Sequence, residues 1–207
     1  MKKILCYGDS NTYGFRAFDG GRYSKDIRWC GCLQNLLGKD FKIIEEGMCD
    51  RTGFVDNPKG EDFSAQKHFF KCISNYKNID LLILALGTND LQFQYDIDFE
   101  TVERGLIRLI TESKKIAKDI ILIPPIILEE DVLNGHFSFQ FNEGSVEKSK
   151  AIGEIYKKTA KETDCKLFDI NDFVSPSSID GLHYDDNAHN LIAKNLAQFI
   201  KKTSLIF

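Results

Sequence analysis

Four polar clusters carry the side chains that could do chemistry. Ser10 stands in "CYGDSNTYG" between an aspartate and an asparagine; "GMCDRT" (47–52) and "GTND" (87–90) follow, and "SSIDGLHYDD" sets Asp180 three residues before His183. A serine hydroxyl is a weak nucleophile at neutral pH and needs a base within hydrogen-bond reach, for which an imidazole held by a carboxylate suffices. His183 is a candidate for that base, and Asp180 is near enough in sequence to share its turn and fix its tautomer. A tetrahedral intermediate also needs donors aimed at its oxyanion, which the Asn89 amide and the backbone N–H of Ser10 can offer. The chemistry these types suggest together is acyl transfer.

Each cluster taken alone has a plainer reading. Gly-Asp-Ser after a strand is ordinary turn chemistry, Gly-Thr-Asn-Asp is a common loop, and Asp-x-x-His can be a helix cap with a surface histidine. Their placement sets them apart. Short apolar runs with the length of buried strands occur at "KILCY" (3–7), "FKIIEE" (41–46), "LLILAL" (81–86), "DIILIPP" (119–125) and "CKLFDI" (165–170). Between them lie helical patterns at about 27–37, 61–76, 99–118, 146–163 and 187–202. The clearest begins at Phe99, with Asp98 as cap, Glu100 and Glu103 in its first turn and Lys114, Lys115 and Lys118 in its last. Strands alternating with helices predict an α/β protein: a three-layer α/β/α sandwich around a five-stranded parallel sheet, in one domain spanning 1–207. Ligands of such sheets bind beyond the carboxyl ends of the strands, and each polar cluster follows a strand. The four should therefore converge on one edge.

In that order the blocks resemble the SGNH hydrolases of the GDSL esterase and lipase superfamily, which have a flavodoxin-like sheet. "GDSNTYG" is similar to the nucleophile block, "GTND" to the block bearing the oxyanion asparagine, and "DGLHYD" to the final block. The resemblance spans residues 8–185. It implies Ser10 as nucleophile, His183 as general base, Asp180 as its orienting carboxylate and Asn89 as side-chain oxyanion donor. "DIRWCGCLQNLLG", "IIEEGMCDRT" and "LLILALGTNDL" further resemble the arylesterase and acyltransferase branch, whose members hydrolyse small acyl esters and pass the acyl group to alcohols or peroxide. Carbohydrate O-deacetylase and lysophospholipase or thioesterase activities belong to the same family. Homo-oligomers occur in that branch and are implied here only by the likeness.

The second block departs from the pattern. Where the family has a glycine whose N–H serves the oxyanion hole, this chain has Asp50, and a carboxylate aimed at a developing oxyanion would raise the barrier. Arg51 could pair with it, or the side chain could turn away; Gly47 is the fallback donor. Asn11, Tyr13 and Leu182, adjacent to the implied nucleophile and base, are expected to line the acyl pocket. The stretch 129–144, with His136, Phe137, Phe139 and Phe141, offers either an aromatic rim or an oligomer contact.

Composition narrows the partners. The 207 residues carry 27 Lys and Arg against 31 Asp and Glu, with neither sign in a long block, which argues against nucleic acid. The apolar run before Gly8 is too short for a signal peptide and none reaches membrane-spanning length, so a soluble cytoplasmic protein acting on a small-molecule ester is expected. The six cysteines are scattered and read as free thiols. His68 and His189 sit in helical stretches without metal spacing, and "GDSNTYG" is not a dinucleotide fingerprint, so no cofactor and no metal are expected. Two other classes remain open: a metal-dependent phosphoesterase using Asp9, Asn89, Asp180 and His183 as ligands, and a silent small-molecule binder, for which Asp50 is the best argument.

Overall fold

The structure, a computed structural model, describes residues 1–203 and Leu205. Five parallel strands, β1 (Lys2–Gly8), β2 (Phe41–Gly47), β3 (Ile79–Ala85), β4 (Ala117–Ile123) and β5 (Lys166–Leu167), form one sheet in the order β2-β1-β3-β4-β5. Helices α1 (Ser10–Tyr13), α2 (Trp29–Leu37), α3 (Ala65–Cys72), α4 (Phe99–Ser113), α5 (Asp131–Asn134), α6 (Glu143–Glu162) and α7 (Asp186–Lys202) connect them.

Alternation along the strands builds two cores. In β1, Leu5 and Tyr7 face one side, where Phe69 of α3, Leu106 and Leu109 of α4 and Ile152 of α6 close over them. Ile4 and Cys6 face the other, beneath Trp29 and Leu33 of α2 and Ile192 and Leu196 of α7. Both faces are thus covered, which is why the central strands are apolar over their inner stretches, residues 4–7, 81–85 and 120–123. The chain leaves β1 for β2 on one side and then crosses to β3 on the other, so the topology reverses between β1 and β3. Gly8 is in register with both Gly47 and Ala85, so three strands end at one level. A crevice at such a reversal is where ligands of open sheets bind.

Two glycines let the turn after β1 sit close to its neighbours. A Cβ on Gly8 would lie 2.1 Å from Thr12 Oγ1, and one on Gly47 would lie 2.2 Å from the Tyr13 nitrogen. Any side chain at either position would push α1 off the sheet.

Several boundaries differ from the sequence expectation. The fifth strand is two residues long; after the Phe168 N–H bonds the Leu122 carbonyl the backbone pairing ends, and the Asn171 side chain ties the chain to the loop after β4, accepting from the Ile127 N–H and donating to the Pro125 carbonyl. Helix α4 stops at Ser113, not Lys118: Ile79 N–H bonds the Ile116 carbonyl and Ala117 pairs with Ile79, so the sheet claims residues that helical periodicity would have kept. Lys114, Lys115 and Lys118 are therefore not its last turn. The stretch 61–76 is broken at Ser64, which is extended and bridges Thr52; only Ala65–Cys72 is α-helical, between two 3₁₀ turns. Helix α6 starts earlier than expected, at Glu143, under a capping box of Asn142 and Ser145.

Candidate active site

The turn that carries Ser10 follows directly from β1. Asp9 caps α1 by accepting from the Asn11 N–H at 3.0 Å, and Ser10 opens the helix. Asp9 is buried, which raises its carboxyl above the usual value against the pull of the Asn11 N–H and a hydrogen bond from Thr88. Through Thr88 the turn is joined to the loop after β3.

On the far side of the sequence, a turn at 180–183 presents the imidazole. Asp180 Oδ1 accepts from the backbone N–H groups of Leu182 and His183 at 3.1 and 3.0 Å, while Oδ2 lies 2.7 Å from His183 Nδ1. Burial by itself would raise the Asp180 carboxyl, but the His183 hydrogen bond and charge with these two N–H groups hold it below the usual carboxylate value. An ionised carboxylate only accepts, so Nδ1 carries the proton and Nε2 of a neutral ring is left to accept. Ser10 Oγ lies 3.0 Å from that Nε2. All three residues are at most 6% exposed. Phe15 and Phe137 pack against the imidazole, ring centroids 4.4 and 5.2 Å away.

Asn89 stands across the pocket in the first turn after β3. Its Oδ1 accepts from Gln92 Nε2 at 3.2 Å and its Nδ2 donates to the Arg51 carbonyl at 3.0 Å. This fixes which end of the amide is which and leaves one Nδ2 hydrogen over. The neighbouring Asp90 is fully buried and organises the loop before α3, accepting from the N–H groups of Gly53, Phe54 and Val55 at 2.6, 2.7 and 3.1 Å.

Asp50 has φ 61°, the left-handed region that glycine favours. Its carboxylate is paired with Lys59 Nζ at 2.6 Å, not with Arg51. Arg51 is instead buried beneath the loop, donating to the carbonyls of Gly8 and Glu46 and lying over the Tyr7 ring at 4.3 Å. Gly47 belongs to the end of β2, packed under α1, and does not line the pocket.

The open space beside Ser10 measures about 290 Å³ and is bounded by Phe15, Asp50, Asn89, Phe137, Leu182 and His183, with Cys49, His136 and Gln140 at its sides. Leu182 is thus at the pocket as expected. Asn11 and Tyr13 are not: the Asn11 side chain turns away to the backbone of residues 182 and 184, and the Tyr13 ring lies under the Arg22 guanidinium at 4.2 Å. Of the aromatic stretch, His136 and Phe137 reach the pocket, Phe139 is exposed and Phe141 is core. Phe15, Cys49 and Gln140 were not singled out by the sequence; only their closeness to Ser10, Asp50 and His136 hinted at them. Among the described residues no group of three His, Cys, Asp or Glu could hold a metal ion. Nor is any helix among them long and apolar enough to cross a membrane.

A parallel sheet covered on both faces, with its polar clusters gathered at the topological reversal, defines a protein of the α/β/α sandwich type. The chain belongs to the GDSL-like lipase/acylhydrolase family, whose model matches residues 6–191. Among solved structures it is similar to the aryl esterase of M. smegmatis (27% identity, TM-score 0.90, 98% of this chain and 99% of that one). It is also similar to a carbohydrate acetylesterase from Sinorhizobium meliloti (25% identity, TM-score 0.91, 98% and 100%). An acetylxylan esterase variant from Geobacillus stearothermophilus shares the fold (20% identity, TM-score 0.70, 100% and 94%). No curated protein matches the sequence. The protein is a carboxylester hydrolase with the SGNH fold.

Proposed function

We propose that the protein is a cofactor-independent serine esterase acting on small acyl esters, acetyl esters foremost. The observation that carries this is the hydrogen-bonded line from Ser10 Oγ through His183 to the Asp180 carboxylate, buried yet open to a pocket on the Ser10 side. In this reading Ser10 attacks the ester carbonyl while His183 Nε2 takes its proton. The oxyanion rests on Asn89 Nδ2 and the backbone N–H groups of Ser10 and Asp50. His183 then hands its proton to the departing alcohol, and a water activated by the same nitrogen releases the acid and restores Ser10.

The leaving group must lie on the His183 side to receive that proton, so it comes near the Phe15 and Phe137 rings that pack against the imidazole and line the pocket. Flat or ring-shaped alcohols suit these walls. A volume of about 290 Å³ suits a short acyl chain with such an alcohol better than a long fatty chain. Deacetylation of carbohydrate is the second reading, supported by the likeness to the S. meliloti acetylesterase and by the polar His136 and Gln140 at the pocket's side. The Lys59 pairing weighs against a silent binder, since an ammonium neutralises the Asp50 carboxylate.

The test is hydrolysis of para-nitrophenyl acetate, butyrate and octanoate by the wild type beside Ser10→Ala, with and without EDTA. Short-chain activity that vanishes in the variant and ignores the chelator is expected. Activity retained in Ser10→Ala, or lost with EDTA, would sink the proposal.

A further inference from the structure

Asn11 directly follows the serine, yet its side chain serves the opposite end of the site. Its Nδ2 donates to the Leu182 carbonyl at 3.2 Å, and its Oδ1 accepts from the Tyr184 N–H at 3.0 Å. These are the peptide groups on either side of His183. One amide therefore grips the backbone that carries the imidazole, through bonds spanning more than 170 positions of sequence. Asn11 is 4% exposed, and its backbone is itself held, since its N–H donates to Asp9 Oδ1.

The other hydrogen bonds to the backbone of the 180–183 turn are local, save one from the Glu129 N–H to the Gly181 carbonyl, which ties the turn to the loop after β4 and not to Ser10. Asp180 fixes the shape of the turn and the angle of the ring, but it belongs to the same turn and cannot set the distance from there to Ser10. Helix α7, under its Asp185 cap, begins only after Tyr184. The direct tie between the serine turn and the backbone on both sides of His183 is the Asn11 amide. An apolar side chain of similar size could fill the space but could make neither bond.

We infer that Asn11 is a positioning residue: it locks the His183 backbone to the serine turn and so holds the 3.0 Å spacing between Ser10 Oγ and His183 Nε2. This rests on the serine-esterase reading. The residue touches no substrate, so it acts on the rate of proton transfer and leaves ester binding alone. Losing about an ångström of alignment costs on the order of 100-fold in rate.

The experiment compares wild type, Asn11→Leu, Asn11→Asp and Ser10→Ala for kcat and KM on para-nitrophenyl acetate and butyrate, for the rate of fluorophosphonate labelling, and for thermal midpoint. Turnover is counted per labelled site, so misfolded protein does not enter it. In Asn11→Leu, kcat and the labelling rate are expected to fall together, about 10- to 100-fold, with KM and the acetate-to-butyrate preference within twofold of wild type. Asn11→Asp still accepts from Tyr184 and, when protonated, donates to Leu182, so it should recover part of the loss. A changed chain-length preference would overturn the inference by making Asn11 a pocket residue. Wild-type turnover per labelled site with a lower thermal midpoint would overturn it by making the clamp structural only. Activity retained in Ser10→Ala would overturn the serine reading and this one with it, whereas a dead Ser10→Ala beside a fully active Asn11→Leu would sink this one alone.

Discussion

Asp50 turns its carboxylate onto the Lys59 ammonium, Oδ2 to Nζ 2.6 Å, at a pocket where the family pattern has no side chain at all. The pair is a third to a half exposed, so its own contribution to stability is small. Its effect on catalysis is expected to be larger, because an unpaired carboxylate beside a developing oxyanion opposes it directly. Lys59→Ala should lower kcat/KM by roughly three- to tenfold at low salt, less at high salt where screening shortens the reach of the charge. Asp50→Gly should be at least as active as wild type and indifferent to a second change at Lys59. Additive losses in the double variant would contradict this coupling.

Asp180→Asn tests the tautomer. The carboxylate forces the proton onto Nδ1; an amide can offer its own N–H there and trap the ring with the proton on Nε2, facing Ser10. Turnover should fall about 1,000- to 10,000-fold, while the fold is kept. Because the Asp180 carboxyl is held below its ordinary value, it stays ionised wherever the imidazole is neutral. Wild-type kcat/KM should therefore show no step from Asp180 as pH rises through the neutral range. A rate rising as pH falls would contradict the base role.

The walls on the leaving-group side make a separate prediction. Removing the Phe137 ring takes one face from the departing alcohol and one neighbour from the imidazole, 5.2 Å away. Phe137→Ala should raise KM for para-nitrophenyl acetate by about fivefold and that for ethyl acetate much less, since an aromatic contact is worth about 1 kcal/mol. Equal losses on both esters would place the leaving group elsewhere.

How much of this was legible in the sequence depended on distance along the chain. Strands β1 to β4 announced themselves by apolar runs and β5 by the run at 165–170, and the residues after them inherited a place on one edge, so Ser10 and Asn89, and after the fifth run Asp180 and His183, could be named from the sequence. Ends governed by non-local pairing could not be read. Ala117 looks like the tail of a helix until Ile79 pairs with it, and Ser64 looks helical until Thr52 bridges it. Asn11 is the sharpest case. Its neighbours suggested the pocket, while its two partners lie at 182 and 184, where no local pattern points.

Two buried groups outside the Ser10–His183–Asp180 line titrate in opposite senses. Burial pushes the Asp90 carboxyl up to about 6, outweighing its three backbone N–H bonds, and the nearby Asp9 charge adds to the rise. A carboxyl raised in the folded state stabilises the fold fully below its unfolded value of 3.8, and this contribution is lost as pH climbs through about 6. Burial pulls His189 down to about 3, helped by the charges of His183 and Arg28. Its Nδ1 accepts from the Trp29 N–H at 3.2 Å, which suits the neutral ring. A histidine lowered in the fold contributes stability above its unfolded value of 6.5, and that contribution is lost as pH falls below it. Between pH 4 and 6 the two slopes oppose each other, so the wild type should show a flatter unfolding profile than either single variant. Asp90→Asn removes the carboxyl's slope and should leave stability falling more steeply on acidification, by a few kcal/mol over that range. His189→Asn should do the reverse. Denaturant midpoints at four pH values for the three proteins would decide it, and parallel profiles would show that neither group titrates in this window.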